Sequence, residues 1–187
     1  MQNLIDYVKT NGESIISDEP MNEIDYMIFA RLSYMPFKHV DMCHEETIKS
    51  IATKMKDLEQ AKYIWGDDKP FLQELGKANR YKNIVITDYV EILDNAAEKQ
   101  FAAITISLPG IKYVSYRGTD SSLVGWKEDL NMGFMENVPS QKEAVSYLND
   151  IAKKYTEDLI LGGHSKGGNL AVYAAVFCED EIKPKIK

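Results

Sequence analysis

The stretch Leu159-Ile160-Leu161-Gly162-Gly163-His164-Ser165-Lys166-Gly167-Gly168-Asn169-Leu170 reads as the end of a strand, a glycine-rich turn and the start of a helix. Asp158 to Gly162 is a short apolar run, and Leu170 to Phe177 is an apolar helix. Between them, Gly163-His164-Ser165-Lys166-Gly167 forms a G-x-S-x-G pattern. In a nucleophile elbow a serine occupies a strained strand-to-helix turn, which needs small residues on both sides and leaves the hydroxyl exposed at the helix N-terminus. Gly163 and Gly167 meet that need. The competing reading is a glycine-rich turn with a capping serine. A phosphate loop is excluded, because Gly168-Asn169 follows where Lys-Ser/Thr is required. A dinucleotide fingerprint fails as well.

Upstream of the turn, Ile84 to Ile92, Phe101 to Ser107 and Ile111 to Tyr116 are rich in β-branched and aromatic residues and predict strands. Leu108-Pro109-Gly110 predicts a hairpin turn between the last two. A polar stretch follows Tyr116, and Lys142 to Lys154 has helical spacing of Ala144, Val145, Leu148 and Ile151. The front of the chain is helical. Ile24, Met27, Ile28 and Leu32 recur at helical spacing behind Asn22 as N-cap and ahead of Pro36 as a stop, and further helices are predicted over Glu45–Ala61 and Pro70–Ala78. Residues 1–20 read as an irregular lead-in with a turn at Asn11-Gly12. Strands alternating with helices in the second half predict an α/β fold with a partly parallel sheet and flanking helices. The expectation is one domain, helical over about residues 1–80 and built on the sheet and turn over about 81–187.

The chain has 187 residues, 44% of them hydrophobic, enough for one core. Its 29 acidic and 22 basic residues give a formal charge of −7, and acidic residues outnumber basic ones in each half. Nucleic acid, which requires a basic field, is therefore excluded as a partner. Cys43 and Cys178 have no metal-ligand spacing around them and suit free thiols in a reducing compartment. The N-terminus lacks a signal-peptide pattern, and no window reaches the ~18 apolar residues of a membrane span. A cytoplasmic protein without metal or organic cofactor is expected.

A second segment, Tyr113-Val114-Ser115-Tyr116-Arg117-Gly118-Thr119-Asp120, is by itself a strand followed by a turn. Together with the G-x-S-x-G turn it resembles the class 3 lipase-like branch of the α/β hydrolases. There a strand ending in Phe-Arg-Gly-Ser/Thr precedes a Trp-containing segment ending in Asp-Leu, and a Gly-His-Ser-x-Gly-Gly elbow follows. The matching residues are Tyr116-Arg117-Gly118-Thr119, Gly125-Trp126 through Asp129-Leu130, and Gly163 to Gly168. Bacterial lipase-like proteins of undefined function are also similar in Asn22-Glu23-Ile24-Asp25, Leu32-Ser33-Tyr34 and Gln100-Phe101-Ala102-Ala103.

The resemblance implies an α/β-hydrolase-like fold and a serine esterase or lipase acting on a small-molecule ester or lipid. It makes Ser165 the nucleophile, the Lys166 backbone N–H one oxyanion donor and Thr119 the other. Arg117 and Asp129 brace the Thr119 loop, and Trp126 packs or, alternatively, lines an acyl pocket. The same branch places the acid and then the base histidine after the serine. Past Ser165 the chain offers Glu179, Asp180 and Glu181 but no histidine, while His39, His44 and His164 precede it. His164 and Lys166 adjoin the serine, so their side chains diverge from it. The expectation is a chain lacking its C-terminal strands, in which Ile182 to Lys187 approaches the next parallel strand and the acid and base lie beyond. The alternative is a non-catalytic hydrolase-fold protein that binds an acyl ligand or a protein partner.

Overall fold

The computed structural model describes residues 3–40, 45–59 and 61–187; Cys43 and His44 lie outside the described residues. Helix α1 (Leu4–Asn11) starts at Asn3, whose side chain accepts from the Asp6 N–H while the Asp6 carboxylate accepts from the Asn3 N–H. The expected irregular lead-in is therefore helical over its first half, and Asn11-Gly12 is the helix end. Helix α2 (Glu23–Leu32) is capped by Asn22 as predicted, with Asp25 completing a capping box. The predicted 45–61 helix is shorter. Glu46–Thr47 instead form strand β1, and the Thr47 hydroxyl caps α3 (Ile48–Met55) by accepting from the Ser50 N–H. Helix α4 (Asp68–Leu75) has Pro70 in its first turn.

Strands β2 (Val85–Asp94), β3 (Lys99–Leu108) and β4 (Ile111–Tyr116) are antiparallel and joined by tight turns, with Gly110 at φ +72° in the predicted hairpin. From β4 the chain crosses over through α5 (Leu123–Asn131) and α6 (Pro139–Lys154) to β5 (Asp158–Gly163), which pairs parallel to β4 with Tyr116 opposite Gly163. The sheet order is β1-β2-β3-β4-β5, so the α/β sheet is mixed and mostly antiparallel. Among the named strands the parallel pair is β4–β5, whose connection through α5 and α6 is long enough for a crossover. Helix α7 (Lys166–Phe177) follows β5. A 3-10 turn at Lys183–Lys185 then brings Ile186 beside Leu159 in a parallel bridge, with the Lys187 N–H donating to the Leu159 carbonyl at 2.9 Å. The bridge lies within Ile182–Lys187 and has the parallel sense expected of that segment. No described helix is long and apolar enough to cross a membrane.

Alternation along β3 and β4 sends side chains to two cores. On one face Ile104, Ile106 and Tyr113 pack with Phe29, Leu32, Phe71 and Leu75 from the front helices. On the other, Phe101, Ala103, Val114 and Tyr116 pack with Ala144, Leu148, Leu170 and Ala174 of α6 and α7. Cys178 is a buried free thiol in the second core, in agreement with its apolar context.

A buried ion pair fastens α2 to the chain entering β2. Arg80 donates to both oxygens of Asp25 at 2.9 and 2.6 Å, and the Tyr81 hydroxyl donates to the same carboxylate at 2.6 Å. The Asn22 N–H adds a bond of 3.0 Å. Burial alone would raise the Asp25 carboxyl, but the Arg80, Tyr81 and Asn22 donors outweigh it and hold the group below the usual carboxylate range. A depressed folded-state value contributes stability above the unfolded-state value of about 3.9, which is lost as pH falls through the folded value. Urea unfolding between pH 2.5 and 7 should show this acid loss. In Asp25→Asn it should be shallower, with a deficit of about 3–5 kcal/mol at pH 7 because Arg80 is left buried without its partner. An unchanged acid slope in the variant would refute the assignment.

Candidate functional site

At the end of β5 the chain turns through His164 and Ser165 into α7. Ser165 has φ +57° and ψ −127°, a backbone conformation that side chains rarely adopt. The turn is this tight because β4 ends against it. A Cβ on Gly163 would stand 2.4 Å from the Gly167 carbonyl carbon and 2.5 Å from the Tyr116 carbonyl oxygen; one on Gly167 would stand 2.1 Å from that same oxygen. Glycine is required at both positions, as the sequence predicts. Ser165 itself is exposed, and its hydroxyl has no hydrogen-bond partner among the described residues.

Gly118 closes on the same turn: a Cβ placed there would lie 2.5 Å from the His164 carbonyl oxygen and 3.4 Å from Ser165 Cβ. Thr119 therefore follows directly beside the serine. Neither the Thr119 N–H nor the Lys166 N–H, the first of α7, has an acceptor among the described residues. Two unpaired amides flanking an exposed hydroxyl at a helix N-terminus can hold a developing oxyanion. The Thr119 hydroxyl is committed elsewhere, donating to the Asp129 carboxylate. Arg117 pairs with Glu91 at 2.8 Å and Asp120 at 3.5 Å. Both Arg117 and Asp129 thus hold this loop, in line with the bracing read from the sequence.

The Lys166 side chain runs away from the serine into the interior. Its ammonium donates at 2.9 Å to Glu128 Oε2, to Gln100 Oε1 and to the Gln100 carbonyl, which accounts for all three protons. The His164 ring is exposed, and its Nδ1 lies 3.2 Å from the Tyr34 hydroxyl. His39 lies in a 3-10 turn (Phe37–His39) that packs through Phe37 on Tyr89 of β2. Among the described residues no imidazole is hydrogen-bonded to Ser165.

Tyr34 received no role from the sequence, although Leu32-Ser33-Tyr34 stood out there. Its buried hydroxyl accepts from the Gly118 N–H at 3.0 Å and reaches the His164 carbonyl at 3.2 Å, joining the two loops that flank Ser165. Burial pushes the phenol up to about 12, so it stays protonated and able to donate at neutral pH. Trp126 differs from the packing expectation. With Leu123, Leu130 and Phe134 it forms an exposed apolar stripe on and just after α5, Trp126 being 61% and Phe134 88% exposed. A cleft of about 670 Å³ extends from α2 along β5 to His164, lined by Tyr26, Met27, Ala30, Trp65 and Ile160 among others.

The crowding at Gly163 makes a simple prediction. Gly163→Ala should lose about 1–3 kcal/mol or more in urea unfolding, whereas Gly66→Ala, at a glycine with no atom within 4 Å of the added carbon, should stay within about 0.5 kcal/mol of the parent. Equal effects at the two positions would contradict the packing described.

No curated protein and no solved structure matches the chain. Residues 75–187, which include β2 to β5, the Thr119 loop and the serine turn, match a family model described as Mbeg1-like. That span is more than half of the sequence, and the chain belongs to the Mbeg1-like family.

Proposed function

We propose that this protein is a serine hydrolase of the esterase or lipase type, built as a variant of the α/β-hydrolase fold and related to the class 3 lipase-like branch. The observation that carries the reading is the Ser165 turn: a positive-φ serine between strand and helix, its hydroxyl exposed and unbonded, with two unpaired amides beside it. In this reaction Ser165 Oγ attacks an ester carbonyl, and the Lys166 and Thr119 N–H groups stabilise the tetrahedral oxyanion. The hydroxyl proton passes to the departing alkoxide, which leaves as the alcohol, and water then hydrolyses the acyl-enzyme, releasing the carboxylic acid and restoring the Ser165 hydroxyl. The positive end of the α7 dipole adds to the field at the oxyanion. The exposed stripe Leu123, Trp126, Leu130 and Phe134, on and just after the helix that holds Thr119 through Asp129, favours an apolar substrate.

A fluorophosphonate probe tests the nucleophile. Intact mass should rise by one adduct, peptide mapping should place it on Ser165, and Ser165→Ala should take up none. An adduct that persists in Ser165→Ala, or none on the parent protein, refutes the reading.

A non-catalytic acyl-binding role is the second reading, favoured by the apolar cleft beside His164 and by the absence of any imidazole bonded to Ser165 among the described residues. It predicts saturable binding of a fluorescent long-chain acyl probe that Ser165→Ala leaves unchanged and that Ala30→Phe, which narrows the cleft, weakens at least tenfold. Binding lost in Ser165→Ala would count against it.

A further inference from the structure

Gln100, at the start of β3, is fully buried, and a buried amide costs free energy unless each of its ends is bonded. Both ends are bonded here. Oε1 accepts from Lys166 Nζ at 2.9 Å, and Nε2 donates to the Gly118 carbonyl at 3.4 Å. Its main chain is held too, the N–H donating to Glu128 Oε2 at 3.0 Å and the carbonyl accepting from Lys166 Nζ at 2.9 Å.

We infer that Gln100 is a positioning residue for the Thr119 amide, oriented by the buried Lys166–Glu128 pair; the inference rests on the serine hydrolase reading above. The Gly118 carbonyl and the Thr119 N–H belong to one planar peptide and point in opposite directions, so fixing the first aims the second. Lys166 decides which end of the Gln100 amide faces that peptide. An ammonium only donates, so it takes the oxygen and leaves the NH2 toward Gly118. Glu128 in turn holds the ammonium, with 2.9 Å between Nζ and Oε2 and both side chains shielded from solvent. The peptide before Gly118 is pinned separately, its N–H donating to Tyr34. Lys166 thus serves both amides beside Ser165: its main chain carries one, and its side chain, through Gln100, orients the other.

Diisopropyl fluorophosphate on the 15N-labelled full chain provides the test. Ser165 Oγ bonds to phosphorus, the P–F bond breaks, fluoride leaves and the hydroxyl proton passes to buffer base. In the diisopropylphosphorylated parent, both the Thr119 and Lys166 amide protons should move downfield as they bond the phosphoryl oxygen. Gln100→Met removes both ends of the link, and Gln100→Glu keeps the acceptor for Lys166 but offers Gly118 no N–H. Each should label about 10- to 100-fold more slowly, with the Lys166 amide still shifted and the Thr119 amide not. A merely structural role would lower the urea midpoint yet leave the Thr119 shift in place. Parent-like labelling and a parent-like Thr119 shift in both variants overturn the positioning role alone, as does failure of both variants to fold. Failure of the parent to label overturns the hydrolase reading, and this role with it.

Discussion

The Tyr116 carbonyl oxygen would stand 2.1 Å from a Cβ on Gly167 and 2.5 Å from one on Gly163, and that close approach is what the site is built around. It exists because β4 and β5 run parallel with Tyr116 opposite Gly163, so both strands deliver their outgoing loops at the same end of the sheet. In an antiparallel pair the two loops would leave at opposite ends. The parallel β4–β5 pair is therefore the element that brings Thr119 beside Ser165. Tyr34 then links the two loops from the front helices, and Gln100 and Lys166 link them from within. The strained serine, of the kind that costs on the order of 1–3 kcal/mol, is over-determined by these supports.

Two buried ion pairs hold helices to this frame, Asp25 with Arg80 at the front and Glu128 with Lys166 beneath the serine. A buried pair gains little over apolar packing unless its remaining donors and acceptors are filled. Both are well supplied. Asp25 takes the Tyr81 hydroxyl and the Asn22 N–H in addition to Arg80. Glu128 takes the Gln100 and Ser140 N–H groups in addition to Lys166, so one carboxylate joins α5, the N-terminal turn of α6 and the start of β3. Directional bonds of this kind specify a rotation and a register, which apolar contact leaves looser.

Local signals found most of the elements. The Asn22 cap, the Pro109-Gly110 turn and the glycines at 163 and 167 each act through their immediate neighbours, and each was readable in the sequence. What stayed hidden depends on partners far along the chain. Tyr34 is 84 residues from Gly118, and Gln100 is 66 from Lys166. Both lie in segments that stand out as motifs, but a motif gives no indication of which distant atom its polar group will meet. The first helix was missed for a different reason: it is only eight residues long, so Leu4, Ile5, Tyr7 and Val8 show little more than one period of a helical pattern, and its start is fixed by the Asn3–Asp6 capping box.

Helix α5 shows where the usual inference from hydrophobicity fails. Periodicity assigns a helix by assuming that its apolar stripe faces inward, and on that assumption Leu123 to Asn131 looks like a polar loop. The structure inverts it. Glu128 is wholly buried, Asp129 holds Thr119, and Leu123, Trp126 and Leu130 face outward. The inversion follows from the bonding just described, because Glu128 can reach Lys166, Gln100 and Ser140 only if its side of the helix faces the protein. Residues 123, 126 and 130, two or five positions from 128 and so about 140–160° round the helix from it, are then forced into solvent. The outward apolar surface of α5 is thus a geometric consequence of the buried carboxylate on the helix's inner side.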